Sequence, residues 1–277
     1  MPHDQFAIEA VTPSYWKITF KNPPINLIGP ETIPQLNALL RKIEADPKLN
    51  VVVFRSDDPD FFMAHYDIAT DIAAFAALPP GPTGLHPWND VLVGLSRAPV
   101  LTIAAVRGRA RGAGSEFALA CDVRFASLEK TILGQFEVGG GAVPGGGPMA
   151  RLSRLVGRGR ALEILIGADD IRADVAERYG YVNRAVPDAE FEGFIDAYAR
   201  RVAGFEKETI KVTKGFVDDV TLPPLTELAP NMAAFFASVA RPETQARAMA
   251  LFKQGLQTRA DVELNLGDFV ARYVAGS

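Results

Sequence analysis

The apolar positions of this chain change their period along its length. Tyr15 to Phe20 (YWKITF) is rich in β-branched and aromatic residues and predicts a strand, which Pro23 and Pro24 end. From Glu31 to Glu44 the spacing becomes helical, with Ile33, Leu36, Leu39, Leu40 and Ile43 on one face. Val51 to Arg55 is apolar at nearly every position, as a strand covered on both faces must be, and Ser56-Asp57-Asp58-Pro59-Asp60 closes it. The same reading predicts a helix over 67–78, a Pro/Gly loop over 79–87, a helix from Trp88 to Ser96 and a buried strand from Val100 to Val106. A helix over 115–121, strands over 122–126 and 131–133, a glycine loop over 139–147 and a helix over 148–156 follow. Beyond Arg160 the pattern is almost entirely helical, as in Ala161–Ile166, Asp174–Tyr179, Asp188–Arg201 and Glu243–Gln254.

This alternation of strands and helices predicts an α/β fold, with a core domain over residues 1–200 and a helical C-terminal extension over 201–277. Met232, Phe235, Phe236 and Val239 give the extension more apolar surface than a short appendage buries alone, which predicts packing on a neighbouring subunit.

Composition narrows the function. A hydrophobic content of 48% with 22% charged residues in 277 residues describes a globular chain with a sizeable core. The net charge of −4 comes without a long basic run, which argues against a nucleic-acid partner. The arginines at 107, 109 and 111 and at 151, 154, 158 and 160 then read as solvated faces or subunit contacts. The single cysteine, Cys121, sits in an apolar run and reads as a buried hydrophobe; His3, His65 and His86 are too scattered for a local metal site. Neither a signal peptide nor a spanning segment is evident, so a cytoplasmic protein without a membrane partner is expected.

The chemistry is concentrated at two glutamates beside glycine-rich loops. Glu116 follows Gly108-Arg109-Ala110-Arg111-Gly112-Ala113-Gly114-Ser115, and Glu137 precedes Gly139-Gly140-Gly141 and Pro144-Gly145-Gly146-Gly147. Small residues ahead of a helix start leave amide N–H groups free to hold negative charge, and two nearby carboxyls can move protons around it. Taken singly, Glu116 could simply favour the helix dipole and Glu137 could lie on the surface. A loose G-x-G-x-x-A at Gly145 to Ala150 follows no convincing strand and has no matching acidic residue, so dinucleotide binding is disfavoured. Ser115 lacks the nucleophile-elbow pattern of a serine hydrolase.

Ile103-Ala104-Ala105-Val106-Arg107-Gly108, Glu116 to Asp122 and Pro144-Gly145-Gly146-Gly147, with Asn22-Pro23-Pro24-Ile25-Asn26 and Phe61 to Ile68 ahead of them, resemble the crotonase superfamily of enoyl-CoA hydratases and isomerases over residues 15–187. The resemblance implies a core of repeated ββα units, an acyl-CoA substrate and no metal or redox cofactor. It implies that the N–H groups of Ala64 and Ala113 hold the thioester oxygen as it becomes an enolate. Glu116 would activate the water that attacks C3, Glu137 would exchange the proton at C2, and Gly145 would lie near that water. The stretch Ala64, His65, Tyr66 and Asp67 would line the coenzyme A path. Trimers or dimers of trimers are implied as well. His65 and Tyr66 stand where the family has Gly-Ala, and Arg109 and Arg111 make the first loop unusually basic. His65 can sustain a left-handed turn. It can also simply bond Asp67 or the backbone, while Asp67 can cap the following helix and Asp122 make a structural hydrogen bond. Tyr66 narrows the pocket, which predicts a small or unusual acyl group. An isomerase, a thioester hydrolase or a non-catalytic acyl-CoA-binding protein remain alternatives.

Overall fold

The computed structural model describes residues 4–272. In chain order it begins with strands β1 (Phe6–Thr12) and β2 (Tyr15–Phe20), helix α1 (Thr32–Ala45), strands β3 (Val51–Ser56) and β4 (Phe61–Met63), and helices α2 (Ile72–Ala76) and α3 (Pro87–Ser96). Strands β5 (Leu101–Val106) and β6 (Arg109–Arg111), helix α4 (Ala113–Ala120), strands β7 (Val123–Ser127) and β8 (Ile132–Gly134), and helices α5 (Pro148–Val156) and α6 (Arg158–Gly167) follow. The last part holds β9 (Ile171–Arg172), α7 (Ala173–Tyr179), β10 (Arg184–Val186), α8 (Asp188–Ala203), α9 (Lys207–Thr221), α10 (Leu225–Val239), α11 (Pro242–Lys253), α12 (Asp261–Leu264) and α13 (Leu266–Ala271).

The ββα repeat is visible in the pairing. Each long strand enters a six-stranded sheet of order β1-β2-β3-β5-β7-β10, and the short strand after it enters a four-stranded sheet of order β4-β6-β8-β9. β3, β5 and β7 are parallel in the first sheet, as are β4, β6 and β8 in the second, so each turn of the chain repeats the last one strand further along. The run Val51-Val52-Val53-Phe54 is apolar because both faces of β3 are covered. Val52 and Phe54 join the core with Leu36, Leu40 and Phe117, while Val51 and Val53 meet Phe191, Ile195 and Ala199 of α8.

Several expectations are revised. The helix over 67–78 shortens to α2, because Asp71, not Asp67, accepts the N–H groups of Ala73 and Ala74 at the helix start. The helical C-terminal half contains β9 and β10, which are two and three residues long, too short to show a period. β1 escapes recognition because its alternation is weak at a largely exposed edge. Met232 lies in the main core and Phe235 and Phe236 pack against it, so these residues of α10 serve their own chain's interior. Nor are all the arginines solvated: Arg111 and Arg151 are buried, and Arg111 makes a bidentate bond to Asp170. Asp122 does make the structural bonds expected, accepting from Thr102 at 2.8 and 2.9 Å and pairing with Lys214.

Candidate active site

The amide terminus of α4 is the anchor of the site. Gly112 turns into the helix at φ +48°, a backbone angle that favours glycine, and leaves Ala113 as the first helical residue. Gly114 lets the helix approach β4 so closely that a Cβ there would overlap the Met63 carbonyl oxygen. The loop after β4 is pinned to residues 26–28: Ala64 N–H donates to Asn26 O at 3.1 Å, Ile28 N–H to His65 O at 2.9 Å and Asp67 N–H to Ile28 O at 2.8 Å.

That pinning corrects one sequence assignment. Ala64 is fully buried, does not line the cavity, and spends its N–H on Asn26. Two residues on, Tyr66 does line the cavity, and among the described residues no hydrogen bond uses its N–H. His65 does not adopt a left-handed turn; in this neighbourhood it is Asn26 that does, at φ +57°. His65 bonds the backbone, as one of the two expectations had it, and not Asp67. Its Nδ1 lies 2.7 Å from Tyr66 O and its Nε2 3.2 Å from Glu263.

The cavity itself has a volume of about 280 Å³. Ala113, Glu116, Glu137, Gly145 and Gly146 meet there with His65, Tyr66 and Asp67, and α10 supplies Met232, Phe235 and Val239 as an apolar wall. Tyr66 does not stand across the cavity unsupported: its ring stacks on Phe75 with centroids 4.4 Å apart.

The two carboxyls live in different surroundings. Glu116 accepts from the Trp88 indole N–H at 2.8 Å and from Gly146 N–H at 2.7 Å, so both of its oxygens face donors. Burial raises its pKa above the ordinary carboxyl value, and those two donors work in the other direction. Glu137 has no such support, and its Oε2 is buried without a partner. Burial first and the Glu116 charge second push its pKa up to about 8. Of the two, Glu137 therefore holds its proton to the higher pH, and Glu116, with a donor on each oxygen, ionises first. An acid and a base lining one cavity, next to free helix-terminal amides, can add and remove protons around an anion held there.

The sequence model of the enoyl-CoA hydratase/isomerase family matches residues 12–258. The chain belongs to that family. Among the relatives of this family member, the short-chain-enoyl-CoA hydratase of Clostridium acetobutylicum is 32% identical over 198 residues, covering 71% of this chain and 75% of the relative. The crotonyl-CoA hydratase of Syntrophomonas wolfei is also 32% identical, over 70% of this chain and 74% of its own. A crystal structure assigned as an enoyl-CoA hydratase from Streptomyces avermitilis superposes with a TM-score of 0.93 at 44% identity, covering 99% of each chain.

Within this hydratase/isomerase family member, two site features were invisible to motif reading. Trp88 reads only as the start of a helix, because nothing local says that its indole reaches Glu116, 28 positions on. The wall contributed by α10 lies almost a hundred residues beyond Glu137, and its apolar residues read equally well as an interface. Groups of three or more metal-ligating side chains are absent among the described residues, and none of the described helices is long and apolar enough to cross a membrane.

Proposed function

We propose that the protein adds water across the 2,3 double bond of a 2-enoyl-CoA thioester. The observation that carries this reading is the pairing, in one cavity at the start of α4, of Glu116 held by two donors with Glu137 whose Oε2 is buried without a partner; we read Glu116 as the base and Glu137 as the acid. Glu116 takes a proton from water as its oxygen attacks C3, and Glu137 delivers its proton to C2. Between these events the thioester oxygen carries the charge of an enolate, held by the N–H groups of Ala113 and Tyr66. Removing one such donor in comparable sites costs ~10²–10³ in rate. No resident metal or redox group enters these steps; coenzyme A comes with the substrate. The cavity volume of about 280 Å³ lies at the small end of ligand pockets and supports a short acyl group.

The reading is tested with one 2-enoyl and one 3-enoyl thioester of coenzyme A. Loss of the conjugated-thioester ultraviolet absorbance with formation of the 3-hydroxyacyl product is expected for the first. Conversion of the 3-enoyl to the 2-enoyl thioester without hydration would make the enzyme an isomerase, release of free thiol a hydrolase, and binding without any change an acyl-CoA-binding protein.

The reading extends to assembly as a homotrimer or a dimer of trimers in the cytoplasm. Helix α9 supports an oligomer: none of its residues is buried, and Phe216 and Val220 are 72% and 81% exposed on an apolar stripe with Val212 and Val217. Light scattering of the purified protein is expected to give a multiple of the 29.9 kDa chain mass, and a monomer would remove this part of the proposal.

A further inference from the structure

Three residues that depart from the family pattern, His65, Arg109 and Arg111, converge on one short stretch near the C-terminus. His65 Nδ1 faces a carbonyl, Tyr66 O at 2.7 Å, so it carries a proton. Its Nε2 lies 3.2 Å from each carboxylate oxygen of Glu263, and both side chains are fully buried. Burial opposes the charged imidazole, but the Glu263 carboxylate outweighs it and raises the His65 pKa. Glu263 also accepts from Gln257 N–H at 3.0 Å, and the Gln257 side chain donates to Asp67 at 2.6 Å and accepts from Ala69 N–H at 3.1 Å. From the other side, Arg111 donates to Glu263 O at 2.8 Å and Leu264 O at 3.2 Å, and Arg109 donates to Leu264 O at 2.7 Å. Arg111 is also the residue immediately before Gly112 and Ala113, and its N–H is bonded to Ala64 O at 3.0 Å.

We infer that residues 257–264 are a positioning element for the amides that hold the enolate oxygen, with Glu263 as its centre. Ile28 fixes the His65 carbonyl, and with it the peptide plane that carries the Tyr66 N–H, while Glu263 through His65 fixes the Tyr66 carbonyl, so the peptide planes on both sides of the Tyr66 Cα are set. Through Arg111 and Arg109, the carbonyls of residues 263 and 264 set the strand that feeds Ala113. The two loops carrying the amides are thus referred to one rigid point outside the cavity. A buried imidazole–carboxylate pair suits this task because neither partner can leave without stranding the other's polar group in the interior. Glu263 does not line the cavity and touches no reacting atom; its carboxylate acts through His65 and Gln257, and its backbone carbonyl through Arg111.

This inference rests on the proposed enolate chemistry but has its own test. In Glu263→Gln the charge is removed and the shape kept. For hydration of 2-butenoyl-CoA, kcat is expected to fall ~10–100-fold, the scale of a displaced catalytic geometry, with KM unchanged within about threefold. The infrared carbonyl stretch of bound butanoyl-CoA, lowered in the wild type by two N–H donors, is expected to move back toward that of the free thioester. A merely structural role would lower the melting temperature and leave kcat and the carbonyl band unchanged in the folded variant. Arg109→Met, which keeps the buried pair, is expected to shift both readouts the same way by a smaller factor, and it decides the matter if Glu263→Gln does not fold. Retention of the wild-type kcat and carbonyl band in the folded variants would overturn the inference. If the wild type lowers the carbonyl band without hydrating the substrate, the hydratase reading fails and this inference stands on the infrared arm. If the wild type does not lower the band, the inference fails whatever the hydration assay gives.

Discussion

Glu137→Gln is expected to slow hydration by ~10²–10⁴-fold, the usual weight of a positioned acid or base, and at the same time to stabilise the protein above neutral pH. Both effects come from the same proton. In the unfolded chain Glu137 ionises at the ordinary value of 4.5, whereas in the fold burial and then the Glu116 charge push it up to about 8. Between those values the folded chain keeps a proton that the unfolded chain releases. The associated stability is complete below the ordinary carboxyl range and is lost as pH rises through about 8. Glutamine presents a neutral group at every pH, so at pH 8 the variant should exceed the wild type by ~1 kcal/mol or more, about 2–4 °C in melting temperature. Thermal melts of both proteins at pH 5 and pH 8 check this, and a variant that loses as much stability as the wild type between them would show that Glu137 is not the group that titrates. In the wild type, the hydration rate should decline as pH rises through about 8, where Glu137 loses the proton it must give to C2. Glu116→Gln should also abolish hydration, through loss of the base rather than the acid.

Gly114→Ala should be the most damaging single-methyl change in the site. In an ordinary helix alanine is favoured over glycine by up to ~1 kcal/mol, so the bare expectation is a gain. Here the added Cβ would overlap the Met63 carbonyl oxygen and lie 3.1 Å from the Met63 Cβ. The backbone oxygen cannot step aside as a flexible side chain could, because β4 is paired to β6. Either the helix start retreats or the strand end bends, and both moves separate Ala113 from Tyr66. A loss of ~3 kcal/mol in denaturant unfolding is expected, the upper part of the range for overpacking, together with loss of hydration in whatever protein folds. A stabilised, active variant would mean that the two loops are not in fact pressed together.

Much of the architecture was legible in local periodicity. The apolar run at Val51–Phe54 and the nearly apolar Val100–Val106 announce strands covered on both faces, and α1, α3, α5 and α8 are foreshadowed by local spacing and punctuation, because these signals need only neighbours in sequence. Of the three-residue strands β4, β6 and β8, β8 was foreseen at 131–133, whereas β4 and β6 were not. Those two are strands because each pairs with the next turn of the repeat.

The site divides along the same line. Glu116, Glu137 and Ala113 stand out because glycine-rich loops before a helix have a local physical meaning. The choice of Tyr66 rather than Ala64 does not, since it depends on which amide Asn26 has already taken. The sequence by itself determined an α/β chain of this family with two acids beside amide-rich loops. The tertiary structure alone decided which acid is held by two donors, which amide stays free and which distant residues reach the site, Trp88 to Glu116, Met232 to the cavity and Glu263 to His65. Desolvation, hydrogen-bond occupancy and burial of charge depend on every group packed around an atom, and most of those groups lie far away along the chain.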